Sequence, residues 1–155
     1  MLKTLSVENY ALIDRSVIDF FGGFSVITGE TGAGKSIILG ALNMLLGQRT
    51  DSKVIKNQDK KCVVEGVFDI SKYGLATFFE DNELDYDDEC VIRRELNANG
   101  KSRAFVNDTP VTVSVLKDLG VKLIDIHSQH QTLMLSDRKY QLELLDFFAG
   151  NSELR

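Results

Sequence analysis

The residues best suited to chemistry lie in a glycine-rich stretch, residues 29–36, which reads GETGAGKS. This spacing matches GxxxxGK[ST], the pattern of a loop that binds nucleotide phosphates when it lies between a strand and a helix. Glycines let the backbone approach phosphate oxygens closely, and successive N–H groups with the helix N-terminus provide positive potential. We therefore predict a nucleotide-binding loop made of Gly29, Glu30, Thr31, Gly32, Ala33, Gly34, Lys35 and Ser36.

Two side chains of this loop have distinct expected roles. The Lys35 ammonium neutralises charge on the β- and γ-phosphates, and the Ser36 hydroxyl ligates Mg²⁺. A P-loop ATPase also needs an acidic residue after an apolar strand, to hold Mg²⁺ or orient water. The nearest match, residues 121–125 (VKLID), is interrupted by Lys122 and has no following Glu. We therefore expect ATP and Mg²⁺ as cofactors but only part of a hydrolytic site.

Other P-loop classes fit less well. A GTPase would need an NKxD element, which is absent, and the DxxG at residues 19–22 precedes the loop. A small-molecule kinase would usually carry an arginine-rich lid after the loop, and none is evident. Two alternatives to a larger ATPase stay open: a self-contained P-loop phosphotransferase, and a nucleotide-binding module without catalysis.

The elements around the loop follow from hydrophobic patterning. We predict strands at 1–9, 15–20 and 24–28, and then a helix over 35–46 that ends at Gly47. Alternation is weak in 24–28 (FSVIT), which is typical of a strand buried on both faces. The helix is apolar nearly all round, so we expect it to be largely buried.

The second half of the chain alternates between strand-like and helix-like segments. In order, we predict a strand at 62–70, a helix at 75–80, a hairpin of 90–96 and 103–107, a helix at 113–119, a strand at 122–126 and an amphipathic helix at 138–148. Asn99 and Gly100 in the turn 97–101 favour the hairpin. This order predicts an α/β fold that opens with an antiparallel β-layer.

Composition excludes several classes of protein. With 155 residues, 43% hydrophobic and 26% charged, the chain has the make-up of a soluble globular domain, and no run is apolar enough to span a membrane. Seven acids fall in residues 80–89, so the net charge of −5 reflects what we expect to be one solvated loop. No export signal is visible, and Cys62 and Cys90 lack CxxC spacing, which favours a reduced, cytoplasmic protein with structural thiols.

Four stretches together resemble the N-terminal part of the RecN family of bacterial DNA repair proteins. They are LSVENYALID (5–14), TGETGAGKSIILGAL (28–42), KSRAFVNDTPV (101–111) and LIDIHSQHQ (123–131). That family is similar to the structural-maintenance-of-chromosomes (SMC) proteins and belongs to the ABC-type ATPases. The resemblance runs from about residue 1 to residue 150.

The resemblance implies a split ATPase. Residues 1–150 would form the N-terminal lobe of an ABC/SMC-like head, with an antiparallel β-layer and a mixed sheet, and residues 151–155 would begin the connection to a coiled coil. A C-terminal lobe would supply the signature motif and the acidic strand. Two heads, a homodimer, would enclose two ATP molecules. The implied function is ATP-driven engagement and hydrolysis in recombinational repair of DNA double-strand breaks, with DNA as a partner and a nucleoid-associated, cytoplasmic location.

The resemblance also assigns residues outside the phosphate loop. Gln129 corresponds to the Q-loop glutamine, whose oxygen reaches Mg²⁺ and the attacking water, so the implied catalytic residues are Gln129 and Lys35, and the implied Mg²⁺ ligands are Ser36 and Gln129. A surface glutamine is the plain alternative. His127 and His130 lack a third ligand nearby, so we expect loop histidines rather than a metal site.

Basic residues suggest a contact with DNA. Arg49 follows the loop helix at a position where SMC-like heads can place an arginine near DNA or the partner's nucleotide. The predicted hairpin carries four more basic residues, Arg93, Arg94, Lys101 and Arg103. Adjacent residues of a strand point to opposite faces, so Arg93 and Arg94 can contribute only a partial basic face. An ordinary solvated role stays open for each.

Overall fold

The computed structural model describes residues 1–28 and 34–126. Residues Met1–Ile124 form one compact unit, and in the second unit, Asp125–Arg155, only residues 125 and 126 are described. The strands are β1 (Leu2–Tyr10), β2 (Ile13–Asp19), β3 (Cys62–Asp69), β4 (Glu89–Leu96), β5 (Ser102–Val106) and β6 (Thr109–Val111). The helices are α1 (Gly34–Leu45), α2 (Ala76–Asp81) and α3 (Val113–Leu123), with a short 3₁₀ turn at Ser52–Val54.

The six strands form one sheet in the order β2-β1-β3-β4-β5-β6. Every pairing between them is antiparallel, which confirms the predicted antiparallel β-layer. Alternate residues of β3 and β4 are buried, as expected for a sheet with one face on the core. No parallel pairing occurs among the described strands, so the mixed sheet stays a prediction.

The core lies between one face of this sheet and the helices. Leu45 of α1 packs against Gly66 of β3, where a Cβ would lie only 2.6 Å from the Leu45 Cδ2 atom. Even a methyl group at residue 66 would therefore force the Leu45 side chain to move. Leu116 and Leu119 of α3 are fully buried in the same core. The sheet thus fixes where α1, and with it the end of the phosphate loop, can lie.

Helix α1 forms where the sequence predicts it, but it is less buried than its composition suggests. Ala41, Met44 and Leu45 are buried, whereas residues 37–40 are only half-buried. The helix ends as expected at Gly47, which adopts a φ of +84° and donates its N–H to the Met44 carbonyl at 3.1 Å.

The predicted strand at 24–28 is wrong for this structure. These residues form no regular element, and Phe24 is 93% exposed while Val26 and Ile27 are also exposed. A strand buried on both faces needs hydrogen-bonded neighbours at its edges and elements against its faces. None of the six described strands pairs with this segment, and all five of its residues are exposed.

The predicted break between a helix at 113–119 and a strand at 122–126 is also wrong. A single helix, α3, continues to Leu123, and residues 124–126 carry no regular structure. Gly120 lies inside this helix and packs against Leu46, where a Cβ would come within 3.1 Å of the Leu46 carbonyl oxygen. Leu116, Leu119 and Leu123 then share one buried helical face.

Strand β6 went unpredicted because it has three residues, one of them Pro110, and lies at the edge of the sheet where proline is tolerated. The acidic loop is solvated as predicted, since all seven acids in residues 80–89 are exposed. The predicted amphipathic helix at 138–148 lies outside the described residues. Among the described helices, none combines the length and apolarity needed to cross a membrane.

Candidate nucleotide-binding site

The described end of the phosphate loop lies at the start of α1. Gly34, Lys35 and Ser36 are the first three residues of the helix, and all three are exposed. Residues 29–33 lie outside the described residues. The helix therefore begins at the position the GxxxxGK[ST] pattern requires, with the ammonium and hydroxyl groups at its N-terminal end.

The N-terminus of α1 suits an anion. Its first turn contains no acidic residue, so the positive end of the helix dipole is not offset by the helix itself. The first N–H groups of a helix have no partner within the helix and are available to phosphate oxygens. Lys35 and Ser36 add a cation and a potential metal ligand at the same end, a set of groups that fits MgATP.

A turn between β1 and β2 supports α1 from the sheet side, and sequence reasoning missed it. Asn9 and Ala11 both adopt positive φ, at 54° and 50°. Between them the ring of Tyr10 is buried at 6% exposure, with its hydroxyl against Gly40 of α1. The signal in the sequence was an Asn next to an aromatic residue at the end of a predicted strand. Neither residue type indicates which distant residue it will contact.

Asn9 holds this turn in place. Its Nδ2 atom donates to the carbonyl oxygens of Asn57 and Lys60, each at 2.9 Å, and its Oδ1 atom accepts from the Asn57 N–H at 2.7 Å. The Ala11 N–H donates to the Val54 carbonyl at 2.6 Å. The turn is thus tied to residues 54–61, a segment distant in sequence.

The basic face suggested for the hairpin lacks Arg94. Arg94 lies on the core face of β4 and is only 4% exposed, with Val64 and Ala104 as its cross-strand neighbours. Its Nε and Nη1 atoms have no hydrogen-bond partner, and burial lowers the pKa of its guanidinium. Of the four basic residues, only Lys101 and Arg103 are exposed.

Arg93 lies on the opposite face and is engaged by its neighbours. Its Nη1 atom is 3.0 Å from the Asp108 Oδ1 atom and 3.8 Å from the Glu65 Oε2 atom. Its guanidinium also stacks over the Phe105 ring at 4.6 Å from the ring centroid. These contacts hold Arg93 on the sheet. Arg49, the other basic residue considered for DNA binding, is exposed after the end of α1.

Cys62 and Cys90 are free thiols and are fully buried. Burial raises the pKa of each thiol to about 12. Such thiols hold little thiolate at neutral pH, so their position and chemistry agree with the structural role predicted for them.

The remaining predicted site residues lie outside the described residues. Gln129, His127 and His130 all fall in the range 127–155. Within 1–28 and 34–126, no group of three or more His, Cys, Asp or Glu side chains is placed to hold a metal ion.

The fold and this site define the class of protein. An antiparallel β-layer followed by a helix that opens with Gly-Lys-Ser is the N-terminal lobe of a P-loop NTPase of the ABC/SMC type. A solved structure from work on ATP-driven dimerization and DNA-stimulated activation of SMC ATPases has this fold. It is 23% identical in sequence, with a TM-score of 0.67 over 93% of this chain and 96% of that one.

The chain belongs to the AAA domain family, whose match covers residues 4–154. It is 41% identical over 155 residues to the DNA repair protein RecN of Vibrio cholerae, and the aligned region covers 99% of this chain and 28% of that protein. It is 39% identical over 152 residues to RecN of Bacillus subtilis, and the aligned region covers 97% of this chain and 26% of that protein. These relatives confirm the resemblance to RecN, and the chain spans little more than a quarter of their length.

Proposed function

We propose that this chain is the ATP-binding part of an SMC-like ATPase that acts in the repair of DNA double-strand breaks. The observation that carries the proposal is the start of α1, where Lys35 and Ser36 stand exposed on a helix N-terminus whose first turn contains no acidic residue. The similarity to RecN, which extends over 99% of this chain, supports DNA repair as the process.

In this proposal the loop residues act on the nucleotide by electrostatics and positioning. N–H groups of residues 29–36 surround the β- and γ-phosphates, and the Lys35 ammonium lies against the same oxygens. Ser36 and Gln129 would hold Mg²⁺, which would neutralise phosphate charge, and Gln129 would also orient the attacking water. Hydrolysis further requires the acidic residue and signature motif of a C-terminal lobe.

The exposed apolar segment supports a two-part head. Phe21, Phe24, Val26 and Ile27 follow one another along the surface directly before the phosphate loop. Exposed apolar residues grouped in this way usually mark an interaction surface. We propose that a C-terminal lobe of the same protein covers this segment, and that two complete heads then engage across ATP. DNA is the proposed partner of the complete protein.

MgATP binding to the 155-residue chain tests the first step. We expect Lys35→Ala to weaken binding of MgATP at least tenfold, because the ammonium contributes a charge-assisted contact to phosphate. Lys72→Ala is the matched control, since Lys72 is exposed far along the chain from the loop. Equal loss of affinity in both variants would contradict the assigned site.

Turnover tests the division of the active site. We expect the chain alone to hydrolyse essentially no ATP, because the acidic residue of the site is supplied by the other lobe. ATPase activity that disappears in Lys35→Ala would contradict this half-site and would favour a self-contained phosphotransferase. A complete protein that binds ATP without dimerising would instead favour a non-catalytic nucleotide-binding module.

A further inference from the structure

Helix α1 approaches β1 more closely at Gly40 than any other residue type would allow. An ideal Cβ built at residue 40 lies 2.6 Å from the Tyr10 hydroxyl oxygen and 3.6 Å from its Cζ atom. Carbon and oxygen atoms that are not bonded do not pack at 2.6 Å, so the hydroxyl occupies the space of a side chain at residue 40. Tyr10 and Gly40 therefore form one complementary contact between sheet and helix.

The Tyr10 side chain has little freedom to yield. Its neighbours Asn9 and Ala11 both adopt positive φ, and its backbone pairs with Ile55 in an isolated antiparallel bridge. Hydrogen bonds from Asn9 and from the Ala11 N–H hold the turn on both sides of Tyr10. An aromatic ring also has only two side-chain torsions. We therefore expect a steric clash at this contact to move helix α1 rather than the Tyr10 ring.

Gly40 lies about one helical turn beyond Ser36 and on the same side of α1. A shift of the helix at residue 40 thus displaces Lys35 and Ser36 as well. We propose that Tyr10 and Gly40 are positioning residues for the phosphate loop, and that the hydroxyl packed on Gly40 sets where the helix N-terminus stands. This inference rests on the proposed binding of ATP at that N-terminus.

The test introduces a steric clash between residues 10 and 40 and then removes it with a second substitution. Gly40→Ala adds a methyl group against the hydroxyl, and Tyr10→Phe removes the hydroxyl. We expect Gly40→Ala to raise the Kd for MgATP about tenfold, since displacement of binding groups by around 1 Å is costly. The double variant Tyr10→Phe/Gly40→Ala should return to within about threefold of the original Kd.

Amide hydrogen exchange gives a readout that needs no nucleotide. The N–H groups of residues 36–38 should exchange faster in Gly40→Ala and return to the original rates in the double variant. Gly22→Ala is the control, because it also adds a methyl group to a glycine but meets no atom within 4 Å. It should leave the Kd for MgATP and the exchange at residues 36–38 unchanged.

The outcomes separate this inference from the proposed function. An unchanged Kd and unchanged exchange in Gly40→Ala, or failure of the double variant to restore them, would overturn the positioning role. If Lys35→Ala has no effect on MgATP binding, the proposed function fails, and the exchange rates still decide whether Tyr10 positions α1. If Gly40→Ala does not fold, Tyr10→Leu carries the test, with weaker binding expected and unchanged binding overturning the inference.

Discussion

The side-chain amide of Asn9 bonds the backbone of Asn57 in both directions. Its Nδ2 atom donates to the Asn57 carbonyl at 2.9 Å, and its Oδ1 atom accepts from the Asn57 N–H at 2.7 Å. The two residues lie 48 positions apart. This pair therefore fixes the end of β1 against a distant segment, and with it the Tyr10 ring that supports α1.

Asn9→Ala should lower the free energy of unfolding by about 2–4 kcal/mol, because it removes these bonds and leaves part-buried backbone groups without partners. Asparagine also tolerates the positive φ at residue 9 better than alanine does. Urea denaturation measures the effect. The control is Asn99→Ala, which removes an exposed turn contact to the Lys101 N–H and should cost less than about 1 kcal/mol. Equal losses in both variants would refute the special role of Asn9.

Arg94→Met should raise the free energy of unfolding, by about 1–3 kcal/mol. The guanidinium is buried with two nitrogen atoms unpaired, so folding removes water from it without a replacement. Methionine fills similar space without a charge. Arg93→Met is the matched control and should be neutral or destabilising, since Arg93 contacts Asp108 and Phe105. A lower thermal midpoint for Arg94→Met than for Arg93→Met would count against this account.

Stability should fall in alkaline solution because of the two buried thiols. Each thiol has a pKa of about 12 in the folded protein and 9.0 as its ordinary value. Between these values the unfolded state releases protons that the folded state keeps, so the stabilisation is complete below pH 9 and is lost as pH rises towards 12. The slope is about 1.4 kcal/mol per pH unit for each thiol.

The double variant Cys62→Ala/Cys90→Ala isolates this effect. Burial also raises the pKa of Tyr10, and Cys62 adds to that increase, so the double variant removes this smaller part of the Tyr10 effect together with the thiols. Urea denaturation between pH 8 and pH 11 should show a shallower decline for the double variant. Parallel declines in the two proteins would show that the thiols do not control this dependence.

Phe24→Ser should leave the stability of this chain within about 0.5 kcal/mol, because the ring is 93% exposed. The same change should weaken association with a C-terminal lobe supplied as a separate chain, measured by titration calorimetry. Val121→Ser, at an exposed apolar residue of α3, is the control and should leave association unchanged. If both variants bind the lobe equally well, the segment 21–28 is not the contact surface.

Local patterns were enough to predict most elements of the fold. The alternation in β1, β3 and β4 and the glycine at residue 100 predicted the strands and their hairpin, because each depends on neighbours within a few residues. The GxxxxGK[ST] spacing likewise predicted the start of α1. The prediction for residues 24–28 was wrong because an apolar run of this kind forms a buried strand only where neighbouring strands are present to pair with both of its edges.

Side-chain environments could not be predicted in the same way. Adjacent arginines in β4 look equivalent in sequence, yet Arg94 is buried under the helices and Arg93 bonds across the open face. A glycine inside a helix lowers helix propensity, and the reason for Gly40 is visible only with the Tyr10 hydroxyl beside it. Both outcomes depend on residues brought together from distant parts of the chain.

The sequence by itself determined the chemistry that this protein carries. Glycines, a lysine and a serine at fixed spacing define a phosphate loop, since that motif depends on short-range backbone geometry. Only the tertiary structure decided where that chemistry lies, because the place of α1 depends on two contacts with the sheet, Gly40 against Tyr10 and Leu45 against Gly66. Packing between distant segments depends on side-chain volumes and on the distances between the segments in the folded chain, and no local sequence pattern encodes it.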